Sequence, residues 1–140
     1  MTRIQRSLAV LALILSASGD TLADSAGTVA PSSFSQTSGQ AIYAAVCQGC
    51  HMPDAKGAVG AGAYPALAAD TNLQSAGYPI YLVLYGQRAM PGFGGFLNDA
   101  QVAAVVGYIR THFGNDYKDP VAAADVEAAR QPGYRYYTLD

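Results

Sequence analysis

Cys47-Gln48-Gly49-Cys50-His51 is the stretch that decides how this chain folds, because it holds both cysteines and places a histidine directly after the second. Two thiols at positions i and i+3 can form thioether bonds to the two vinyl groups of one porphyrin, and the adjacent imidazole can then bind its iron. We therefore interpret Cys47 and Cys50 as covalent attachment sites of one haem c, and His51 as an axial ligand of the iron.

Three other interpretations of the two cysteines were compared with haem attachment. A zinc site needs about four ligands, and outside the motif His112 is the one further histidine of the chain. A thioredoxin-like CxxC pair is typical of a βαβ unit, whereas Gly, Ala and Pro follow the motif here. A simple disulfide is the third alternative. The histidine directly after the second cysteine favours haem.

The N-terminal 23 residues have the three parts of a secretory signal peptide. Arg3 and Arg6 precede an apolar run over residues 8–15, and small residues up to Ala23 provide a cleavage site. The apolar run is too short to cross a bilayer comfortably, which leaves an uncleaved anchor as the less favoured alternative. We expect a periplasmic protein with no integral membrane anchor.

The charge balance is weakly acidic. The chain has eight Lys and Arg against ten Asp and Glu, a formal net charge of −2. Cleavage after Ala23 removes Arg3, Arg6 and Asp20 and leaves −3. This balance argues against nucleic acid as a partner. Because 13% of the residues are charged, docking to a partner is expected to rely more on apolar contact than on long-range attraction.

The first half of the expected domain is one helix and a long loop. Residues 24–37 have the composition of a flexible lead-in, and a helix is predicted from Ser38 or Gly39 into the cysteine motif. Residues 52–77 contain several Gly and Pro without a sustained period. We expect them to form an irregular loop packed against the haem, since so long a loop needs a surface to cover.

Three further helices are predicted, and no segment indicates a sheet. Residues 78–85 are apolar almost throughout, with Pro79 in the first turn, although a buried strand is the alternative. Residues 98–113 form an amphipathic helix with the cap pair Asn98 and Gln101. A last, Ala-rich helix is expected from Asp119-Pro120 to about residue 131. The fold class predicted is all-α, with four to five helices around a covalently bound haem.

The second axial ligand determines the chemistry, and the chain offers Met52, Met90 and His112. Met52 follows His51 directly and cannot cross the porphyrin plane. His112 falls in the last turn of a helix, where a partly exposed histidine is favoured by the helix dipole without any metal. Met90 lies in an irregular loop between two helices and is restrained by Pro91. We favour Met90 as the ligand, with the filling of a core gap as the alternative.

A His/Met pair would saturate the iron and raise its reduction potential. With no open coordination position, the function would be one-electron transfer rather than enzymatic catalysis. The alternative is a haem enzyme or gas sensor with an open distal site, similar to a small peroxidase. Such a site needs a distal base and polar groups, and the loop around Met90 supplies only Gln87, Arg88 and Asn98 at its edges.

The order of these motifs resembles that of class I, mono-haem cytochromes c. CxxCH, a Pro-containing loop, Met-Pro and a terminal amphipathic helix follow one another over about residues 39–130. The resemblance implies that Cys47 and Cys50 carry the haem, that His51 and Met90 bind its iron, and that the Pro65 carbonyl accepts a hydrogen bond from His51. It also implies a close helix crossing at Gly39, Tyr43 and Tyr108.

The amino-acid sequence of the second half resembles a narrower group of proteins. Met90-Pro91-Gly92-Phe93 and the residues at 97–101 and 108–111 resemble the haem domains of cytochrome subunits of bacterial periplasmic dehydrogenases. This resemblance implies a flavin- or quinone-dependent dehydrogenase as electron donor, and a downstream oxidase or cytochrome as acceptor. The chain departs from multihaem relatives by its single CxxCH and by having no membrane anchor after the last helix.

The predicted organisation has four parts: a signal peptide at 1–23, a lead-in at 24–37, a haem domain at 38–131 and a Tyr-rich tail at 132–140. The tail contains Tyr134, Arg135, Tyr136 and Tyr137. Tyr and Arg are favoured at the centres of protein interfaces, so the tail is a candidate docking segment for a dehydrogenase. The alternative is that it folds back onto apolar surface of its own domain.

Overall fold

The structure, a computed structural model, describes residues 34–60 and 62–134. The predicted signal peptide at 1–23, most of the lead-in at 24–37 and the end of the tail from 135 to 140 lie outside the described residues.

One continuous helical segment leads into the cysteine motif. It consists of α1 (Gly39–Ile42), a π-helical turn (Tyr43–Cys47) and α2 (Gln48–His51). The Ser38 hydroxyl accepts a hydrogen bond from the Ala41 N–H at 3.2 Å, which satisfies one of the free donors at the helix start. Met52, with φ 67°, ends the segment. The predicted first helix is confirmed.

The loop that follows contains short regular elements that the sequence did not indicate. Strand β1 (Ala58–Val59) pairs antiparallel with β2 (Ala63–Tyr64). A 3₁₀ turn spans Thr71–Gln74, and the Asp70 carboxylate caps it by accepting from the Asn72 N–H at 2.9 Å. The expectation of an irregular loop without strands was wrong in this detail, because two-residue strands are too short to produce an alternating pattern.

Two longer helices follow, α3 (Gly77–Tyr85) and α4 (Asp99–Thr111). Both predicted helices are confirmed, and the strand alternative for residues 78–85 is wrong. Asn98 and Gln101 form a reciprocal capping box at the start of α4, with both bonds at 2.9 Å. The helix ends two residues earlier than predicted, because His112 has an extended backbone and Phe113 has φ 58°.

The last helix is shorter than the sequence predicted. Helix α5 spans Ala123–Ala129, whereas the expected start was at Asp119-Pro120. Arg110 binds both the backbone carbonyl and the carboxylate of Asp119, which holds this residue away from a helical start. The Asp125 carboxylate instead accepts a hydrogen bond from the Ala122 N–H at 2.8 Å and fixes the first turn there.

The core lies between the first helical segment, α3 and α4, and α5 closes it. Gly39 allows α1 to cross α4, since a Cβ at this position would fall 2.5 Å from the Tyr108 Cβ. The rings of Tyr43 and Tyr108 lie 5.9 Å apart beside the crossing. The expected crossing at Gly39, Tyr43 and Tyr108 is confirmed. Among the described residues, the apolar side chains with no exposed surface are Ile42, Ala55, Leu84, Val102, Val106 and Val126.

The described part of the chain is therefore mainly helical, with four helices when α1, the π-helical turn and α2 are taken as one. Within 34–60 and 62–134, no helix has the length and apolar character that a membrane crossing requires.

Candidate haem site

The π-helical turn determines how the motif presents its side chains. The N–H of Gln48 bonds to the carbonyl of Tyr43, five residues back, so the helix is widened around Cys47. Cys47 is partly buried against the hydrophobic core and Cys50 is exposed. His51 occupies the end of α2 and is 9% exposed. Two thiols and one imidazole thus come from a single helical segment.

The His51 ring is oriented by a backbone carbonyl. Its Nδ1 lies 3.0 Å from the carbonyl oxygen of Pro65. A carbonyl oxygen can only accept a hydrogen bond, so Nδ1 carries the proton and donates it. In the neutral imidazole, Nε2 then carries no proton, and its lone pair is the one that can bind a metal. The structure therefore brings Pro65 and His51 together in the arrangement that the family resemblance implies.

The chain directly after the motif is fixed by Tyr43. Its hydroxyl donates a hydrogen bond to the Met52 carbonyl at 2.7 Å. The pKa of Tyr43 is raised to about 12, mainly because the phenol is buried and secondly because Cys47 lies nearby. The phenol therefore stays protonated and keeps donating at neutral pH. This bond fixes the backbone at the sharp turn that follows His51, so α2 ends where the loop towards Pro65 begins.

Met90 lies on a separate element, the loop between α3 and α4. Its N–H donates to the Gln87 carbonyl at 2.9 Å, and the Gln87 N–H donates back to the Met90 carbonyl at 3.0 Å. Gly86, with φ 73°, allows this tight loop, since a Cβ there would fall 2.6 Å from the Gly92 nitrogen. Arg88 also has a positive φ, 55°. The loop backbone is therefore closely determined.

The Met90 side chain is partly buried and packs against the same hydrophobic core as Cys47. An open cleft of about 450 Å³ runs along the loop and is lined by Tyr85, Met90 and neighbouring loop residues. Met90 thus lies beside open space and is not enclosed in the core.

The other candidate ligands are in different surroundings. Met52 is at the end of α2, with its carbonyl bound by Tyr43. His112 is exposed at the C-terminal end of α4, where its Nδ1 donates to the Tyr108 carbonyl at 2.9 Å and its ring lies 4.1 Å from the Tyr108 ring. This is the helix-end setting predicted for His112.

The thiol of Cys47 does not have the lowered pKa of a reactive CxxC cysteine. Both cysteines are free. The pKa of Cys47 is raised to about 12, mainly because the thiol is buried and secondly because Cys50 lies nearby. Catalytic CxxC cysteines need the opposite, a lowered pKa that exposes a thiolate. In the described part of the chain, no three His, Cys, Asp or Glu side chains converge as a zinc site requires.

The donors fit an iron porphyrin. Two free thiols lie three residues apart on one helical segment, and an imidazole with a free Nε2 follows them. A thioether beside an open cleft is available on a second loop. Thioether and imidazole are the pair that binds haem iron in electron-transfer cytochromes.

The structure also connects residues to this site that the sequence did not single out. Gly57 packs against the Pro65 carbonyl, because a Cβ at position 57 would lie 2.8 Å from the Pro65 carbonyl oxygen. Asn115 is buried and binds the carbonyl of Leu67, two residues after Pro65, at 2.8 Å. Glycine and asparagine are both common in loops, so each gives only a weak local signal. Their connection to His51 depends on contacts distant in sequence.

Comparison with known proteins identifies relatives of this region. The family model described as cytochrome C oxidase, cbb3-type, subunit III matches residues 35–109. The fructose dehydrogenase cytochrome subunit of Gluconobacter japonicus is 35% identical over 112 residues, covering 69% of this chain and 23% of that protein. The gluconate 2-dehydrogenase cytochrome c subunit of Pantoea cypripedii is 36% identical over 112 residues, covering 69% of this chain and 24% of that protein.

This chain therefore spans about a quarter of the length of these curated relatives. Among solved structures, dihydro-heme d1 dehydrogenase NirN in complex with DHE overlaps 51% of this chain and 15% of its own, with 32% sequence identity and a TM-score of 0.41.

Proposed function

Because this chain belongs to the cytochrome c family described as cytochrome C oxidase, cbb3-type, subunit III, we propose that it is a one-electron carrier with one covalently attached haem c. The predicted resemblance to haem domains of dehydrogenase cytochrome subunits is confirmed by the two relatives, which share more than a third of the aligned residues. Membership of the family implies a haem. Its covalent attachment, its ligands and its electron partners are the content of the proposal.

In this proposal Cys47 and Cys50 hold the haem through thioether bonds, and His51 and Met90 are its axial ligands. The hydrogen bond from His51 Nδ1 to the Pro65 carbonyl, at 3.0 Å, is the observation that carries it. A buried imidazole that donates its Nδ1 proton to a hydrogen-bond acceptor, and carries no proton on Nε2, is the form that can bind iron through Nε2. No zinc cluster or reactive dithiol explains the same arrangement among the described residues.

The bound haem supplies a reversible one-electron couple between ferric and ferrous iron. The protein contributes position and environment. The Pro65 carbonyl holds the neutral His51 ring in the tautomer with the proton on Nδ1, which leaves the Nε2 lone pair directed to the iron side. The Met90 loop, closed by the paired bonds with Gln87, would keep the thioether in place in both oxidation states. If His51 and Met90 both bind the iron, the chain would leave no coordination position for oxygen or peroxide.

We assign the donor from the two relatives, whose names state that they are cytochrome subunits of fructose and gluconate dehydrogenases. A flavin- or quinone-dependent periplasmic dehydrogenase would deliver electrons one at a time to this domain, which would pass them to an oxidase or another cytochrome. Export through the signal peptide at 1–23 would bring the chain to that compartment. It would act as the cytochrome subunit of the complex or as a mobile acceptor.

Of the three polar residues near the Met90 loop, Asn98 already has a structural role. Its side chain caps α4 by accepting from the Gln101 N–H. This contact favours the electron-carrier proposal over an enzyme or gas sensor, because it removes one of the polar groups that an open site would need.

The test is an optical spectrum of the purified holoprotein in both oxidation states, for the wild type and Met90→Ala. We expect the ferric wild type to have the weak near-infrared sulfur-to-iron band and the variant to lose it, because alanine has no thioether. Met52→Leu is the matched control and should keep the band. A wild type without the band that binds carbon monoxide readily would contradict the proposal and direct attention to peroxidase or sensor assays.

A further inference from the structure

Asn115 is a buried amide whose three principal hydrogen-bonding groups are all engaged. It is 7% exposed. Its Nδ2 donates to the Leu67 carbonyl and to the Ile109 carbonyl, both at 2.8 Å. Its Oδ1 accepts from the Asp70 N–H at 2.9 Å. The side chain therefore joins the end of α4 to the segment 67–70.

That segment begins two residues after Pro65, the residue whose carbonyl accepts the hydrogen bond from His51 Nδ1. On its other side, the segment is held by the Ala55 carbonyl, which accepts from the Leu67 N–H at 2.8 Å and the Ala68 N–H at 2.9 Å. The Ala69 N–H also donates to the Phe113 carbonyl, at 3.1 Å. The contacts with Ala55 and Phe113 are made by backbone atoms. The Asn115 contacts are made by a side chain, which holds the segment at the Leu67 carbonyl and at the Asp70 N–H.

Gly57 also limits the position of Pro65. Its N–H donates to the His51 carbonyl at 3.1 Å. A Cβ at Gly57 would contact the Tyr64 carbonyl oxygen and would lie 2.8 Å from the Pro65 carbonyl oxygen. The Pro65 carbonyl thus depends on a glycine that leaves it room and on the following segment, which Asn115 holds.

We propose that Asn115 is a positioning residue for His51: by holding segment 67–70 on α4, it keeps the Pro65 carbonyl within hydrogen-bond reach of Nδ1 and thereby sets the reduction potential of the iron. This inference rests on the proposed ligation by His51.

The direction of the effect follows from the chemistry of imidazole. A hydrogen bond from Nδ1 to a carbonyl raises the basicity of the ring, so Nε2 donates more electron density to the metal. Greater donation stabilises ferric iron relative to ferrous iron. Loosening the Pro65 carbonyl therefore weakens the bond, reduces donation and raises the reduction potential.

The experiment compares Asn115→Leu with Gln101→Met in the full-length holoprotein. The two side chains are matched, since Gln101 is also a buried amide that donates to two backbone carbonyls, of Phe34 and Gln36, and accepts one N–H, of Asn98. Both substitutions are nearly isosteric and remove three side-chain hydrogen bonds. The bonds of Gln101 hold the N-terminal segment and the start of α4 and make no contact with the Pro65 loop.

Two readouts are measured, the reduction potential and the solvent exchange of the His51 Nδ1 proton by NMR. We expect Asn115→Leu to raise the potential and to speed this exchange by about tenfold, because opening of the bond becomes easier. Gln101→Met should lower stability towards urea but leave both readouts unchanged. Equal shifts in both variants, or no shift in Asn115→Leu, would overturn the inference.

Two additional variants keep the test decisive. If Asn115→Leu does not fold, Asn115→Ser is used in its place. The single serine hydroxyl cannot donate to two carbonyls, so we expect the same shifts in the reduction potential and in the exchange of the His51 Nδ1 proton. Gly57→Ala displaces the Pro65 carbonyl independently and should also raise the potential. A shift with Gly57→Ala but none with the Asn115 variants would reject the role of Asn115 alone. A wild-type spectrum that lacks His/Met ligation would instead reject the proposed function.

Discussion

Arg110 is the largest fully buried side chain among the described residues. Its Nε donates to the Leu73 carbonyl and one terminal nitrogen to the Gln74 carbonyl, both at 2.9 Å. The guanidinium also binds the Asp119 carbonyl at 2.9 Å and the Asp119 carboxylate at 2.7 Å. A buried charge is tolerated because every contact is an acceptor and one of them is ionised. Arg110 therefore fastens the 3₁₀ turn and the chain after α4 to the helix.

The first prediction concerns the pH dependence of stability. The hydrogen bond from Arg110 holds the pKa of Asp119 below its ordinary value of 3.8. A carboxylate with a lowered folded pKa stabilises the fold above its unfolded pKa, and this contribution is lost as pH falls through the folded pKa. We expect Asp119→Asn to lower the free energy of unfolding at pH 7. The further loss of stability as the pH falls below the ordinary carboxyl pKa of 3.8 should be less steep in the variant than in the wild type.

Urea unfolding at several pH values measures this effect. Asp116→Asn is the control, because Asp116 pairs at 3.0 Å with Lys118 and both side chains are more than three-quarters exposed. Exposed pairs of this kind contribute little, so the control should remain close to the wild type. The same acid profile for Asp119→Asn and the wild type would show that the Arg110 contact does not contribute to stability.

At the level of elements, the crossing of α1 and α4 places the cysteine motif on the core. A Cβ at Gly39 would meet the backbone of Ala104 and the Cβ of Tyr108, so a larger residue separates the two helices. Phe113 leaves the helical path at the end of α4 and places its ring 4.9 Å from that of Tyr43. The same Tyr43 fixes the turn after His51. Packing of these helices is thus connected to the geometry of the site.

The second prediction uses two glycines with opposite surroundings. Gly39→Ala should destabilise the fold by about 1–3 kcal/mol, the usual cost of overpacking a close contact. Gly107→Ala, on α4, should stabilise it by about 0.5–1 kcal/mol, since a Cβ there meets no atom within 4 Å and alanine favours the helix. Urea or thermal unfolding measures both. A Gly39→Ala variant as stable as Gly107→Ala would contradict the close crossing.

At the scale of the whole described domain, residues 34–60 and 62–134, most lysines and arginines are either paired with a carboxylate or buried. Lys56 pairs with Asp54 at 3.1 Å, Lys118 pairs with an aspartate of its own loop, and Arg110 is buried. Apolar side chains that are exposed, by contrast, occur on several sides of the described domain. They are Val59 at 92%, Tyr81 at 47%, Tyr64 and Tyr78 at 43%, Tyr134 at 40% and Phe96 at 37% exposure. Such a surface favours docking through apolar contact.

The third prediction follows from this surface. We expect oxidation of the reduced protein by ferricyanide, an anion, and by tris(phenanthroline)cobalt(III), a cation, to change by less than about threefold over a tenfold range of ionic strength. The two changes should have opposite signs, since the net charge is slightly negative. Stopped-flow absorbance gives both rate constants. A much steeper dependence for either oxidant would indicate a strongly charged surface at the haem edge and would contradict the expectation.

The beginning of the C-terminal tail packs against the domain. The Tyr134 ring lies 4.7 Å from the Tyr85 ring in an edge-on arrangement. The Tyr85 hydroxyl donates to the Ala129 carbonyl at 2.8 Å and accepts from the Gln131 N–H at 2.6 Å. Tyr85 also lines the cleft beside Met90. These contacts accord with the tail folding back at Tyr134, while the docking hypothesis for residues 135–140 stays a prediction outside the described residues.

The sequence by itself determined the features that depend on neighbours in the chain. The cysteine motif, the helix leading into it and the Asn98–Gln101 cap could be read directly, because helix periodicity and capping act within a few residues. The family resemblance added the contact between His51 and Pro65, which the structure has at 3.0 Å. The roles of Cys47, Cys50, His51 and Met90 toward a haem stay predictions.

The tertiary structure alone decided the features that depend on distant residues. Helix α5 starts later than predicted because Arg110 holds Asp119, and Phe113 packs on Tyr43 because the chain leaves α4 early. Asn115 could not be recognised, since its partners at Leu67 and Asp70 are more than 40 residues away in the chain. A polar side chain gives no sequence pattern for such bonds, because their strength arises only when folding removes water from both partners.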